Sequence, residues 1–249
     1  MTKKLLIHSL LIAFSFTTLT TSLKAQVVLD LETGIVGTGY NNVRIPGDQG
    51  TLFSLNRDLD ASAKVFYRIR VNYIFGTRHT LSVLYAPLSV ISDGSVSNDI
   101  HFEGITFPAN TDLDAVYKFN SYRLTYRYQI VQKPKVEFGI GFTAKIRDAK
   151  VALSSAGLES EKTNVGFVPV INFRLLWHID EKLGLLIDGD ALAAKQGRAE
   201  DVIIAATYQV SERIGLKAGY RILEGGADND EVYNFALFNF ATLGLFLNL

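Results

Sequence analysis

The sequence predicts an all-β fold: a closed antiparallel transmembrane β-barrel of about ten strands, with eight and twelve as the alternatives. Three observations carry that expectation. Apolar and polar residues alternate with a period of two along most of the chain, connections alternate between long and short, and the last amphipathic stretch runs to the final residue, Leu249. A period of two puts successive side chains on opposite faces of a strand.

The N-terminus is set apart from this pattern. Lys3 and Lys4 precede an apolar run from Leu5 to about Phe16, and a Thr/Ser-rich stretch leads to Leu23-Lys24-Ala25. Basic start, short apolar core and small residue before the cut follow the order of a secretory signal. Residues 1–25 are therefore expected to be a signal peptide cut after Ala25, and residues 26–249 a single barrel domain, a size all-β barrels reach as one unit. A membrane anchor is the alternative, although the run falls short of the roughly 20 apolar residues a spanning helix needs.

The clearest strand is 64–75, where Val65, Tyr67, Ile69, Val71, Tyr73 and Phe75 alternate with a mostly charged face containing Lys64, Arg68, Arg70 and Asn72. Segments 121–130, 136–147 and 164–178 repeat the pattern with Arg123, Arg127, Glu137, Lys145, Arg147, Asn172 and Arg174 on the polar side. Weaker alternation marks 26–40, 79–92, 183–194, 201–210, 214–222 and 232–249. Together these make ten strands.

A soluble sandwich alternates too and turns its apolar face inward. The connections argue for a membrane instead: 41–60, 92–113 and 151–163 are expected as long loops, against short turns at 76–78, 131–135, 179–182 and 211–213. Long loops at one end and tight turns at the other suit a membrane barrel. Tyr73, Phe75, Tyr126, Tyr128, Phe138, Phe173, Trp177 and Tyr208 gather beside the short turns, as an aromatic girdle at a membrane interface would.

Composition excludes several classes. Lysine and arginine number 25 and aspartate and glutamate 25; removing Lys3, Lys4 and Lys24 with the signal leaves a net charge of about −3, without the basic footprint of a nucleic-acid binder. There is no cysteine, hence no disulfide, thiol nucleophile or lipid anchor through an N-terminal cysteine.

With its leader ending in Leu23-Lys24-Ala25-Gln26, its alternating strands and its terminal amphipathic strand, the chain resembles the small outer-membrane β-barrels of Gram-negative bacteria, of the porin-like superfamily, across essentially all of the mature sequence. The resemblance implies a place in the outer membrane. It also implies contact with outer-membrane lipid, and recognition of the C-terminal strand by the barrel-assembly machinery. Barrels of this kind usually end in Phe, Trp or Tyr, whereas this chain ends in Leu249.

Inward parity places Asp30, Glu32, Lys64, Arg68, Arg70, Arg123, Arg127, Glu137, Lys145, Arg147, Arg174, Asp188, Asp190, Asp201, Lys217 and Arg221 in the lumen. Reflection about the turns sets Arg174 opposite Asp188, Arg127 near Glu137, Asp201 opposite Arg221, and Glu32 beside Arg70. Barrels near eight strands are just filled by side chains, while wide channels appear at 16 to 18 strands. The expected function is accordingly a non-enzymatic barrel with a charge-paired, largely closed lumen and a structural or loop-mediated role. A narrow pore favouring anions is one alternative, since rings of Arg and Lys attract them; a lipid-modifying enzyme is another.

No catalytic, cofactor-binding or metal site is expected. The mature chain has His79, His101 and His178; His101 and Glu103, two apart on a strand, would share a face, yet two ligands make a weak metal site. The first long loop carries Val43, Ile45, Leu52, Phe53 and Leu55, and is expected either to cap the barrel mouth, meeting a small solute or extracellular ligand there, or to pack on Phe102, Ile105 and Phe107 of the second.

Overall fold

The computed structural model describes residues 26–195 and 197–249, so the expected signal segment lies outside the described residues. Ten strands form the ring: β1 (Gln26–Arg44), β2 (Lys64–Phe75), β3 (His79–Ala86), β4 (Asp112–Lys133), β5 (Val136–Ser155), β6 (Leu158–His178), β7 (Leu183–Ala194), β8 (Gly197–Gln209), β9 (Ile214–Asp228) and β10 (Tyr233–Asn248). Each pairs antiparallel with its sequence neighbours, and β10 pairs with both β9 and β1. Closure leaves no unpaired backbone edge toward lipid, where each unsatisfied amide would cost several kcal/mol.

The apolar parity faces outward. Val65 is 71% exposed and Phe167 65%, while Arg68 and Arg221 on the opposite parity are buried. A soluble β-protein would bury the first set, so that alternative fails. On β2 the outward apolar run from Val65 to Phe75 covers eleven residues. At about 3.3 Å per residue and a tilt of about 40° this gives a belt about 27 Å high, the thickness of an outer-membrane hydrocarbon layer. At the short-turn end Tyr73 stacks on Phe75, Phe75 on His79, and His79 meets Tyr128 at 5.2 Å between ring centroids. Tyr67, Tyr85 and Tyr122 make a second cluster higher on the same wall.

The expected third long loop is instead strand. β5 and β6 run to 20 and 21 residues and join at Ala156-Gly157, where φ is +49° and +83°. Two left-handed residues make the tight turn whose twist matches an antiparallel hairpin, and Gly157 adopts that φ without a Cβ penalty. Membrane crossing needs about 9–11 residues, so this hairpin stands well above the belt. β4 likewise begins at Asp112, not 121, and β1 continues to Arg44 past a bulge between Thr38 and Tyr40. The bulge shifts inward parity from Val36 to Asn41 and Val43, an inversion that strict alternation misses.

The two remaining long loops enter the barrel. Beyond Pro87 and Leu88 the third ring strand continues as Ser89–Ser95, which pairs with β4 and receives Asp60–Ala61. Ile100–Phe102 and Ile105–Phe107 form a hairpin. Ile45, Phe53, Leu55 and Leu59 of the first loop pack with Ile100, Phe102 and Phe107 of the second against Val36, Phe66, Tyr117, Phe238 and Phe240 of the inner wall. The loops are tied by Thr51 N–H donating to the His101 carbonyl at 2.9 Å and Glu103 N–H to that of Ile45 at 3.1 Å. The first loop thus packs on the second and fills the barrel mouth with it, except that Leu52 points out, 55% exposed.

Candidate functional site: the lumen and its two cavities

Inward parity on seven of the ten strands delivers charged side chains to one level. There six cations, Arg68, Arg70, Arg123, Arg174, Lys217 and Arg221, meet five carboxylates, Asp30, Glu32, Asp188, Asp190 and Asp201. Arg221 is the hub, its Nη2 2.8 Å from Glu32 and its Nη1 2.5 Å from Asp201. Arg68 reaches the same two carboxylates at 3.3 and 3.0 Å. Lys217 bridges Asp30 and Glu32, both at 2.6 Å.

Several of these pairs cross the barrel instead of following a hairpin. Arg68 on β2 and Arg123 on β4 both meet Asp201 on β8; Arg70 on β2 meets Asp188 on β7 at 3.1 Å, and Arg123 meets Asp190 on β7 at 2.7 Å. Asp190 is also held by Thr143 at 2.7 Å and by the Asn172 amide at 2.9 Å. Thr143 and Asn172 have the inward parity, the signal that could have placed them in the network. Charges this deep persist when paired, although Arg68 Nε, Arg123 Nε and Asp188 Oδ1 are buried without a hydrogen-bond partner among the described residues.

Of the pairs expected from reflection, Arg174 stands opposite Asp188 and bonds it at 2.9 Å. Asp201 and Arg221 meet, although in register Asp201 faces Leu223 and Arg221 faces Ile203. The other two need correction. Glu32 pairs in register with Arg68, and Arg70 sits opposite Asp30, because the hairpin is offset by two residues. Arg127 is opposite Gly141 and donates to Asn172 at 3.3 Å, while Glu137 faces His178 Nε2 at 3.1 Å; a bulge near Phe138 moves the strands past each other. His101 and Glu103 do not share a face either. Glu103 lies in the hairpin turn at φ +46° and pairs with Lys162 at 3.0 Å, while His101 Nδ1 lies 3.3 Å from Thr106 Oγ1.

The ion-pair layer separates two cavities. One of about 810 Å³ opens at the short-turn end among Asn72, Arg127, Gln129, Glu137, Arg174 and His178. The other, about 440 Å³, lies beside the loop core toward the long-loop end and is lined by Tyr117, Phe119, Lys145, Arg147, Val168, Leu223 and Phe238. Among the described residues no group of three or more His, Asp or Glu side chains is placed to hold a metal.

No known family matches the chain, and no curated protein matches it in sequence. Solved structures do match in shape. The outer membrane protease OmpT of Escherichia coli superposes with a TM-score of 0.53 at 11% identity, over 90% of this chain and 97% of that one. The transport unit of the autotransporter AIDA-I of Escherichia coli gives 0.49 at 8% identity over 95% and 94%, and the attachment invasion locus protein Ail of Yersinia pestis 0.42 at 11% over 90% and 99%. At these identities the likeness is one of fold, and OmpT carries it. Taken with the closed ten-stranded ring and its outward apolar belt, it makes the chain, in fold, a Gram-negative outer-membrane β-barrel.

Proposed function

We propose that the chain is an integral barrel of a Gram-negative outer membrane, closed to the flow of solutes, and that it acts without catalysis through binding at its long-loop end. One observation carries this: the lumen is blocked twice, by ion pairs running from wall to wall and by an apolar core built from both long loops. With short turns toward the periplasm and loops outward, the apolar belt meets lipid. The C-terminal strand β10 is then the segment presented to the assembly machinery.

Planar-bilayer recording tests the closed lumen. Purified protein inserted into a bilayer is expected to give no discrete steps. Anion-favouring steps would overturn closure and support the narrow pore, a reading favoured by the six cations set against five carboxylates and by Arg127 at the floor of the larger cavity. Unchanged lipid A and phospholipid profiles on overexpression are expected as well; a new acylated or deacylated species would establish the lipid-modifying enzyme.

A further inference from the structure

Lys145 is the anomaly of the lumen. It is 3% exposed, yet among the described residues its Nζ has neither a carboxylate within ion-pair distance nor a hydrogen-bond acceptor. Its Nζ lies 4.8 Å from the centroid of the Phe119 ring, and the nearby carboxylates, Asp190 and Asp201, are outside ion-pair distance and held by Arg123. Across the ladder stands Arg123, a like charge already committed to Asp190 and Asp201. A buried ammonium without a counter-ion is costly, and a single cation–π contact offsets little of that cost.

The amine belongs to the wall of the 440 Å³ cavity. Two residues on, and about 7 Å along the strand, Arg147 lines the same cavity; it donates to Asn164, its Nε is buried without an acceptor, and it too has no carboxylate partner among the described residues. The other cations of the wall are neutralised: Arg198 by Glu224 at 2.7 Å, Lys150 by Glu161 and Lys162 by Glu103, both at 3.0 Å. Glu231 stands exposed at the rim.

The cavity exists because inward positions on neighbouring strands are small, among them Gly197, Ala199, Gly225 and Ala227. Facing them, Tyr117, Phe119, Val168, Leu223 and Phe238 give an apolar wall. The volume lies within the roughly 300–1,000 Å³ typical of small-molecule sites, and an apolar lining with a few convergent polar groups is their usual character.

We infer that this cavity binds a small amphipathic monoanion, an aromatic or aliphatic body bearing one carboxylate, with the body on the Phe119–Phe238 wall and the carboxylate oxygens accepting from Lys145 and Arg147. A carboxylate has the acceptors that both groups lack. A neutral ligand of the same shape leaves the ammonium unpaired, and an inorganic anion leaves the apolar wall empty. The inference rests on the proposed function only for the side of entry, from the long-loop end.

Calorimetric titration of the protein in lipid nanodiscs, with empty nanodiscs as reference, provides the test. The probes are 4-phenylbutyrate, 4-phenylbutan-1-ol and inorganic phosphate. The acid is expected to bind at least tenfold more tightly than the alcohol or phosphate, to lose at least tenfold in Lys145→Met and in Arg147→Gln, and to keep its affinity within about threefold in Lys145→Arg. Removing an unpaired buried charge should also raise the unfolding midpoint of Lys145→Met, which a merely structural lysine would not do. No binding of 4-phenylbutyrate, equal binding of the alcohol, or unchanged affinity in Lys145→Met overturns the site. Failure of the closed barrel is distinguishable: conducting bilayers with binding intact overturn closure alone, and silent bilayers without binding overturn the site alone.

Discussion

Arg221 is fully buried and forks between Glu32 and Asp201, so its removal takes one cation from each and opens a void in the middle of the network, although Glu32 keeps Arg68 and Lys217 and Asp201 keeps Arg68 and Arg123. Arg221→Ala is expected to destabilise the barrel by about 2–4 kcal/mol, from the charge-assisted hydrogen bonds lost and the cavity left behind, measured as the fall in urea midpoint of protein folded into vesicles. Arg174→Ala should cost far less, on the order of 1 kcal/mol. Its side chain is 21% exposed, and Asp188 retains Arg70 at 3.1 Å. Equal losses in the two variants would show that the network does not centre on Arg221. The lumen charges themselves could be read from parity alone, because inward position depends only on counting by two. Arg221 as hub could not be, since its partners Glu32 and Asp201 come from β1 and β8.

At the scale of elements, the turns and loops follow different rules. In the turn between β6 and β7, Asp180 accepts the backbone N–H groups of Leu183 and Lys182, both at 2.8 Å, and these bonds hold its carboxyl below the usual 3.8. A depressed folded value means that this stabilisation is present above the unfolded value and lost as pH falls through the folded one. Amide protection of Lys182 and Leu183, corrected for intrinsic exchange, should therefore decline below about pH 4, and should be low and insensitive to pH in Asp180→Ala. The two long loops are held by packing instead. Phe102 is completely buried in the loop core; Phe102→Ala should cost about 3–5 kcal/mol, seen as proteolysis within residues 45–63 and 96–111 while the ring strands stay protected. Loop apolarity pointed to such a core. The hairpin of β5 and β6 was hidden because Gly157, read as a loop residue, serves as the turn of a hairpin whose alternation continues through Val151 and Leu153.

For the whole molecule, ring closure fixes what parity leaves open. Period-two alternation, the short turns and the uninterrupted last strand pointed to about ten antiparallel strands, an apolar outer face and a charged inner one, because each of these depends on neighbours in sequence or on a single hairpin. Which strands face each other across the axis depends on the curvature and stagger of the closed ring, and no local pattern encodes that. The tertiary structure alone therefore decided that Arg68 and Arg123 converge on Asp201, that both long loops fill the space above them, and that Lys145, one lumen charge among many in the sequence, stands without a counter-ion in an apolar cavity. Its isolation is a property of distance in three dimensions: the nearby carboxylates, Asp190 and Asp201, are already engaged by Arg123, which reaches both from the adjacent strand.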